Sequence, residues 1–256
     1  VTLSEAVDVT GTPTLTLGTG NDATYTSGSG SDTLTFTYTV QDGDTTSDLD
    51  FNATDSLSGT LKDTALNNAT LTLVTPGASG SLAANKELVL DTTAPTIVFI
   101  EGIPSSYKDA YVAGDLITVV VNFDEIVYVT GTPTLTLDTG NVATYTSGSG
   151  NMTLLFTYQV EASDNTPRLD YISTSALSGN IVDAASNNAT LTLVTPGAVG
   201  SLAANSYIPI DNIPPTITNV TASTDNGSYK EGDTISITVS LSEAVDVTGT
   251  PTLTLG

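Results

Sequence analysis

Apolar and polar side chains alternate along much of the chain with the period of two that is typical of a β-strand having one buried face. In one such segment every second residue is Ile, Val or Phe, and Thr, Val and Asn stand between them. The clearest segments of this kind are Thr33–Val40, Leu116–Phe123 and Thr234–Leu241. Glycine and proline interrupt the alternation, as turns between short strands require. The pattern predicts an all-β fold.

The chain also repeats itself with a period of about 119 residues, the signature of a tandem array. The string VTGTPTLTL occurs at 9–17, 129–137 and 247–255, and NNATLTLVTPGA occurs at 67–78 and 187–198. Two matching linkers, DTTAP and DNIPP, separate the copies. We therefore predict three units: 1–93, a repeat without its first strands; 94–213, a complete repeat; and 214–256, the N-terminal part of a third.

The first and last eighteen residues are nearly identical. Val1–Gly18 and Val239–Gly256 differ only at Thr2 and Ser240, so the chain starts and stops at the same phase of its repeat. We expect a segment of a longer chain, built from a two-domain super-repeat.

Each repeat is expected to form about seven to nine antiparallel strands arranged as a two-sheet sandwich. For the middle repeat the expected strands are 96–103, 115–123, 132–137, 143–146, 152–160, 168–173, 179–182, 189–194 and 206–210. In the first repeat we expect further strands at 14–17, 24–26, 49–53, 59–62, 69–74 and 87–90. A β-solenoid is the main rival, but its coil repeat of about 20 to 30 residues is not found.

Composition excludes several classes of function. There is no Cys, His or Trp, which removes disulfides, zinc and haem sites and Cys- or His-based catalysis, so we expect no enzyme. Five basic residues face 28 acidic ones, a net charge of −23, which repels nucleic acid and anionic membranes. No apolar stretch approaches the roughly 20 residues that would insert in a membrane. Cations, above all Ca²⁺, are the natural small partners.

The motifs SEAV, VTGTPTLTL, ATYTSGSG, LDF or LDY, and DTTAPT resemble the Ig-like repeats of giant bacterial surface proteins. These include biofilm-associated and RTX-type adhesins and related extracellular fibres, and the resemblance covers the whole chain. It implies tandem Ig-like β-sandwiches, a place outside the cell or on its surface, and Ca²⁺ at domain junctions. Two positions depart from the pattern: Pro209 replaces Val89, and Asp124-Glu125-Ile126 replaces Ser-Glu-Ala.

Acidic residues fall in loops that the expected strand count places on either side of each linker. Facing carboxylates repel one another, and a cation that takes six to eight oxygen ligands cancels that repulsion. Candidate ligands at the first junction are Asp44, Asp63, Asp91, Asp124 and Glu125. Candidates at the second are Asp164, Asp183, Asp211 and Glu243. The alternative is that these residues only cap turns.

The sequence thus predicts a spacer or stalk of a giant bacterial adhesion protein, extended and stiffened by Ca²⁺ at its junctions. Its partners are then the neighbouring repeats of the same chain. One alternative is a subunit of a multi-chain extracellular filament, in which other copies are partners and Pro215–Ile237 of one copy supplies strands to the next. Another is a glycan- or receptor-binding module, which would be expected to show exposed aromatic platforms.

Overall fold

The computed structural model describes residues 1–255 and confirms the all-β fold. The first unit contains β1 (Thr2–Thr16), β2 (Asp22–Ser27), β3 (Ser31–Thr33), β4 (Thr35–Thr37), β5 (Leu57–Lys62) and α1 (Leu82–Asn85). The middle unit contains β6 (Ile97–Pro104), β7 (Leu116–Thr136), β8 (Val142–Ser147), β9 (Asn151–Gln159), β10 (Leu177–Val182) and α2 (Leu202–Asn205). The third segment contains β11 (Ile217–Ala222) and β12 (Ile237–Leu241).

Strand β7 is the central strand of the middle unit, because it pairs with each of the other four. Its first half pairs antiparallel with β6 and β9, so that Val121 lies opposite both Ile100 and Leu154. Its second half pairs with β8 and β10, where Val129 lies opposite Ile181. The expected strands 115–123 and 132–137 are therefore one continuous strand, with a register shift between its two halves.

The core lies between this sheet and an opposing layer of extended chain. The predicted inner row of β7 is confirmed, because Ile117, Val119, Val121 and Phe123 are each at most 2% exposed. The opposing layer contributes the buried side chains Leu169, Tyr171, Leu193, Ile208 and Ile210.

This opposing layer corrects the expected strand count. Segments 168–173, 189–194 and 206–210 form isolated bridges instead of strands, so the middle unit has five strands among its described residues, not nine. Scattered backbone hydrogen bonds remain here, such as that from the Leu169 N–H to the Ile208 carbonyl at 2.9 Å. Side chains add others: the Asp170 carboxylate accepts the backbone N–H groups of Tyr171 and Gly197. In the first unit, segments 49–53, 69–74 and 87–90 are irregular in the same way, and 33–40 is divided between β3 and β4.

Two four-residue helices were not predicted. Each follows a serine N-cap: Ser81 Oγ accepts the N–H of Ala84 at 3.2 Å, and Ser201 Oγ accepts that of Ala204 at 3.1 Å. The repeated GSLAAN motif could have predicted them, because a serine there precedes a Leu-Ala-Ala run, as an N-cap precedes a helix.

Gly179 of β10 tests the β7–β10 packing. Its φ is +139°, and a Cβ there would lie 2.6 Å from Cβ of Pro133. Gly131 also has a positive φ, +80°, but a Cβ there would meet nothing within 4 Å. We expect Gly131→Ala to cost about 1–2 kcal/mol from backbone strain. Gly179→Ala should cost about 1–3 kcal/mol more through the clash. Urea unfolding and hydrogen exchange in β7 and β10 measure the difference; equal costs would contradict this packing.

Candidate metal centre

The linker begins at Asp91, which is held on the first unit. Asp91 Oδ1 accepts the N–H of Thr93 at 2.9 Å, which fixes the turn that opens the linker. The hydroxyl of Thr92 accepts the N–H of Gly43 at 3.0 Å and donates to the carbonyl of Asp44 at 3.2 Å. The linker therefore leaves the first unit in a defined direction.

The far end of the linker is tied to the middle unit. The Pro95 carbonyl accepts the N–H of Thr190 at 2.8 Å, and Pro95 itself is buried. Asp124, between the two halves of β7, accepts the Thr96 N–H at 2.7 Å and the Thr96 hydroxyl at 2.6 Å. Although partial burial opposes it, these hydrogen bonds from Thr96 lower the pKa of Asp124. Both Asp124 oxygens thus accept a hydrogen bond from Thr96, the residue that follows the linker.

The pairing of β10 with β7 places Asp183 beside the linker as well. β10 ends with Val182 opposite Tyr128, and Asp183 follows with only 3% exposure. The Asp183 carboxylate accepts the Asn187 N–H at 2.8 Å and the Asn187 amide at 2.6 Å. The same amide donates to the Asp91 carbonyl at 3.0 Å, so Asn187 connects the end of β10 to the linker.

Asp91, Glu125 and Asp183 form an acidic triad at the first junction. Each offers a carboxylate oxygen, and these oxygens all lie within 4.8 Å of one another. Partial burial, with the nearby charges of Asp91, Asp183 and Asp124, raises the pKa of Glu125. Within residues 1–255 the one salt bridge joins Lys108 to Asp115, so no basic side chain neutralises the triad.

The donor set fits a hard divalent cation. Carboxylate oxygens are the ligands that Ca²⁺ prefers, and it takes six to eight of them from side chains, backbone carbonyls and water. Three carboxylates can supply three to six of these, depending on whether each binds with one oxygen or two. Soft metals that select thiolate or imidazole find no such ligand in this chain, which has no Cys and no His.

The structure revises the expected grouping of ligands. Asp91 and Glu125 come together as expected, but the expected place of Asp183 was wrong, since it lies at the first junction and not the second. The error came from treating 115–123 and 132–137 as two strands: they form the single strand β7, and β10 runs antiparallel to its second half, so the end of β10 lies beside Glu125. Asp63, the equivalent residue of the first unit, is accordingly absent from this triad and borders a groove that also contains Glu5.

Asp44 and Asp164 also lie outside the triad, and each is satisfied within its own unit. Asp164, only 1% exposed, accepts the Tyr158 hydroxyl at 2.5 Å, the Glu161 N–H at 2.7 Å and the Asn141 amide at 2.7 Å. These bonds order the loop that follows β9.

Asp44 repeats this arrangement in the first unit. It accepts the Tyr38 hydroxyl, the Gln41 N–H and the Asn21 amide. The bonds from Tyr38 and Gln41 lower the pKa of Asp44, so the carboxylate stays charged while it holds the loop.

Asp211 and Glu243 stand at the positions of Asp91 and Glu125 one repeat later. Asp211 Oδ1 accepts the N–H of Ile213 at 3.0 Å, which is the turn geometry of Asp91. Glu243 is exposed. The described residues do not bring these two into a group of three.

Sequence reasoning missed Asn187, which positions Asp183. The signal was present, because the Asp-x-x-x-Asn spacing occurs in both repeats. In the first unit Asp63 accepts the Asn67 N–H and the Asn67 amide, both at 2.8 Å. The repeated pair marks a position that turns the chain at the end of β5 and β10.

Comparison with known protein families, curated proteins and solved structures finds no match for this chain. Among residues 1–255 no helix is both long enough and apolar enough to cross a bilayer.

Glu125 gives a pH test of the triad in metal-free protein. Its raised pKa means that folding favours the protonated form; this stabilisation is present below the unfolded pKa and lost as pH rises through the folded pKa. We therefore expect Glu125→Gln to raise the Tm at pH 7 by about 1–3 °C. The gain should disappear near pH 4, where Glu125 is largely protonated.

Calorimetry in EDTA at both pH values measures the effect, with Glu231→Gln on an exposed loop as the control. A lower Tm for Glu125→Gln at pH 7 would contradict charge repulsion in the triad.

Proposed function

We propose that this chain is a structural spacer in a giant bacterial surface or secreted adhesion protein, whose junctions are stiffened by Ca²⁺. The proposal rests on which parts of the chain contribute the three carboxylates of the triad. Asp91 belongs to the linker, whereas Glu125 and Asp183 belong to the unit that follows. A cation held by all three joins the linker to the next unit.

Charge explains why the junction would depend on the cation. Without it, three carboxylates within 4.8 Å push the linker away from the middle unit, opposing the hydrogen bonds of Thr96 and Asn187. With it, the repulsion becomes attraction. The junction then resists bending, which is the property that a spacer needs to keep its distal end away from the cell.

The ligands recur with the repeat. Asp211 matches Asp91, Glu5 and Glu243 match Glu125, and Asp63 matches Asp183. One cation per junction therefore follows from the period of the sequence. A net charge of −23 over 256 residues and an all-oxygen donor set fit a calcium-rich surrounding outside the cell.

Calcium should stabilise the monomeric protein through Asp183. A cation that binds only the folded state adds about 2.7 kcal/mol when its concentration is 100 times the Kd. We expect the Tm of the middle unit to rise in Ca²⁺ relative to EDTA, and Asp183→Asn to reduce the apparent affinity at least about tenfold because it removes one charged ligand.

Asp63→Asn is the matched control, since it makes the same change at the equivalent position outside the triad. Calorimetry at a concentration where light scattering shows monomers compares the three proteins. A calcium response in Asp183→Asn as large as in the unchanged protein would overturn the assignment of the site.

A further inference from the structure

The middle unit ends in residues 206–212, which we call the exit segment and whose backbone is hydrogen-bonded on both sides. On one side the Leu169 N–H donates to the Ile208 carbonyl at 2.9 Å. Thr166 and Ile210 exchange two backbone hydrogen bonds on the same side, of 3.0 and 2.8 Å. Ile208 and Ile210 are each 1% exposed, so packing in the core also holds the segment.

Tyr111 lies on the other side of the exit segment, in a stretch of chain that runs parallel to it. The Tyr111 N–H donates to the Pro209 carbonyl at 2.9 Å, and the Tyr111 carbonyl accepts the Asp211 N–H at 3.0 Å. Proline has no N–H, yet Pro209 fits between two bonded neighbours because only its carbonyl is used. The proline therefore removes no hydrogen bond from the exit segment.

Asn212 closes the exit segment with its side chain. Its Oδ1 accepts the Ala113 N–H at 2.8 Å. Its Nδ2 donates to the carbonyls of Glu161 and Asp164 at 3.1 and 2.8 Å. The first unit has Thr92 at this position, and a hydroxyl can donate only one hydrogen bond. Asn212 therefore joins the point of exit to two separate parts of the middle unit.

The residues beside the exit segment are themselves anchored by the salt bridge of Lys108 and Asp115. Lys108 Nζ donates to both Asp115 oxygens, at 2.6 and 2.8 Å, and Asp115 Oδ2 also accepts the Val112 N–H at 2.9 Å. The Asp115 carbonyl accepts the N–H of Val160, directly after β9, at 2.9 Å. Among residues 1–255 this is the one salt bridge, and it connects residues 108–113 to the start of β7 and the end of β9.

Entry and exit lie at opposite ends of the first half of β7. Phe123 at one end lies opposite Ile97, just after the linker. Leu116 at the other end directly follows Asp115. The chain therefore enters at the Phe123 end, and the hydrogen bonds of Asn212 hold its exit near the Leu116 end.

The exit segment runs toward the Leu116 end of β7. It starts at Ser206, whose Oγ accepts the Gly102 N–H at 2.8 Å, and Gly102 lies opposite Val119 in β7. It ends at Asn212, beside the residues that precede β7. A pull that separates entry from exit therefore acts along the segment and loads its hydrogen bonds together instead of one after another.

We propose that the exit segment is a mechanical clamp, which carries tension along the stalk from the middle unit into the next linker without a cation. This rests on the proposed function, because a spacer between a cell and its point of attachment is under tension. Asn212 and the Lys108–Asp115 salt bridge are its positioning residues. Asn212 fixes the end of the segment, and the salt bridge fixes the residues against which the segment would slide.

The test is single-molecule force spectroscopy of the full 256-residue chain, held by its two ends in EDTA. Unfolding of the middle unit gives a step of about 40 nm, the extended length of residues 94–213 less their folded length. We expect Asn212→Thr, which copies Thr92, to shorten the lifetime of the folded middle unit at constant force about threefold to tenfold, because the clamp loses one hydrogen bond. Lys108→Met should shorten it by a similar factor.

Two controls separate the clamp from overall stability. Lys230→Met makes the same change at the equivalent position outside the middle unit and should leave the lifetime unchanged. Gly131→Ala lowers the free energy of unfolding of the middle unit through backbone strain but lies outside the clamp. It should shorten the lifetime less than Asn212→Thr does.

Equal lifetimes for the unchanged chain and both clamp variants would overturn the proposal. A lifetime of Gly131→Ala as short as that of Asn212→Thr would also overturn it, since the lifetime would then follow overall stability. Because EDTA removes the cation, these results are independent of the calcium response of Asp183, and the two proposals can fail separately.

Discussion

The register of strand β7 is the constraint on which the rest of the structure depends. β7 pairs with four other strands of the middle unit, and its two halves have different pairing partners. The first half closes the core between β6 and β9. The second half fixes β10, whose end delivers Asp183 to Glu125. A slip of one residue would turn the inner row outward and separate these two carboxylates.

Carboxylates in this chain have two different environments. Asp44, Asp124 and Asp164 are surrounded by hydroxyl, amide and backbone N–H donors, which satisfy their charge and fix loops. Asp91 and Asp183 also accept hydrogen bonds, from Thr93 and Asn187, but together with Glu125 they face one another. Partial burial and the neighbouring negative charges raise the pKa of Glu125. Five basic residues stand against 28 acidic ones, and among residues 1–255 no salt bridge reaches the triad, which is why we propose a cation there.

The alternation of side chains predicted which residues of β7 are buried. Alternation does not show whether neighbouring backbones form a ladder, so segments 168–173 and 206–210 were mistaken for strands although Leu169 and Ile208 are buried. The place of Asp183 was missed because it followed from that strand count. The pairing of Asp183 with Asn187 depends on spacing alone, and it is visible in both repeats.

We propose that a cation at the triad fixes the first unit relative to the middle unit. Thr24 and Thr144 are exposed, equivalent positions on β2 and β8, and a chain without Cys allows both to be changed to Cys and spin-labelled selectively. Pulsed electron–electron double resonance on monomeric protein then measures the distance between the two units. We expect a narrow distance distribution in Ca²⁺, where the cation holds both units, and a broad one in EDTA. Distributions of equal width in both would contradict it.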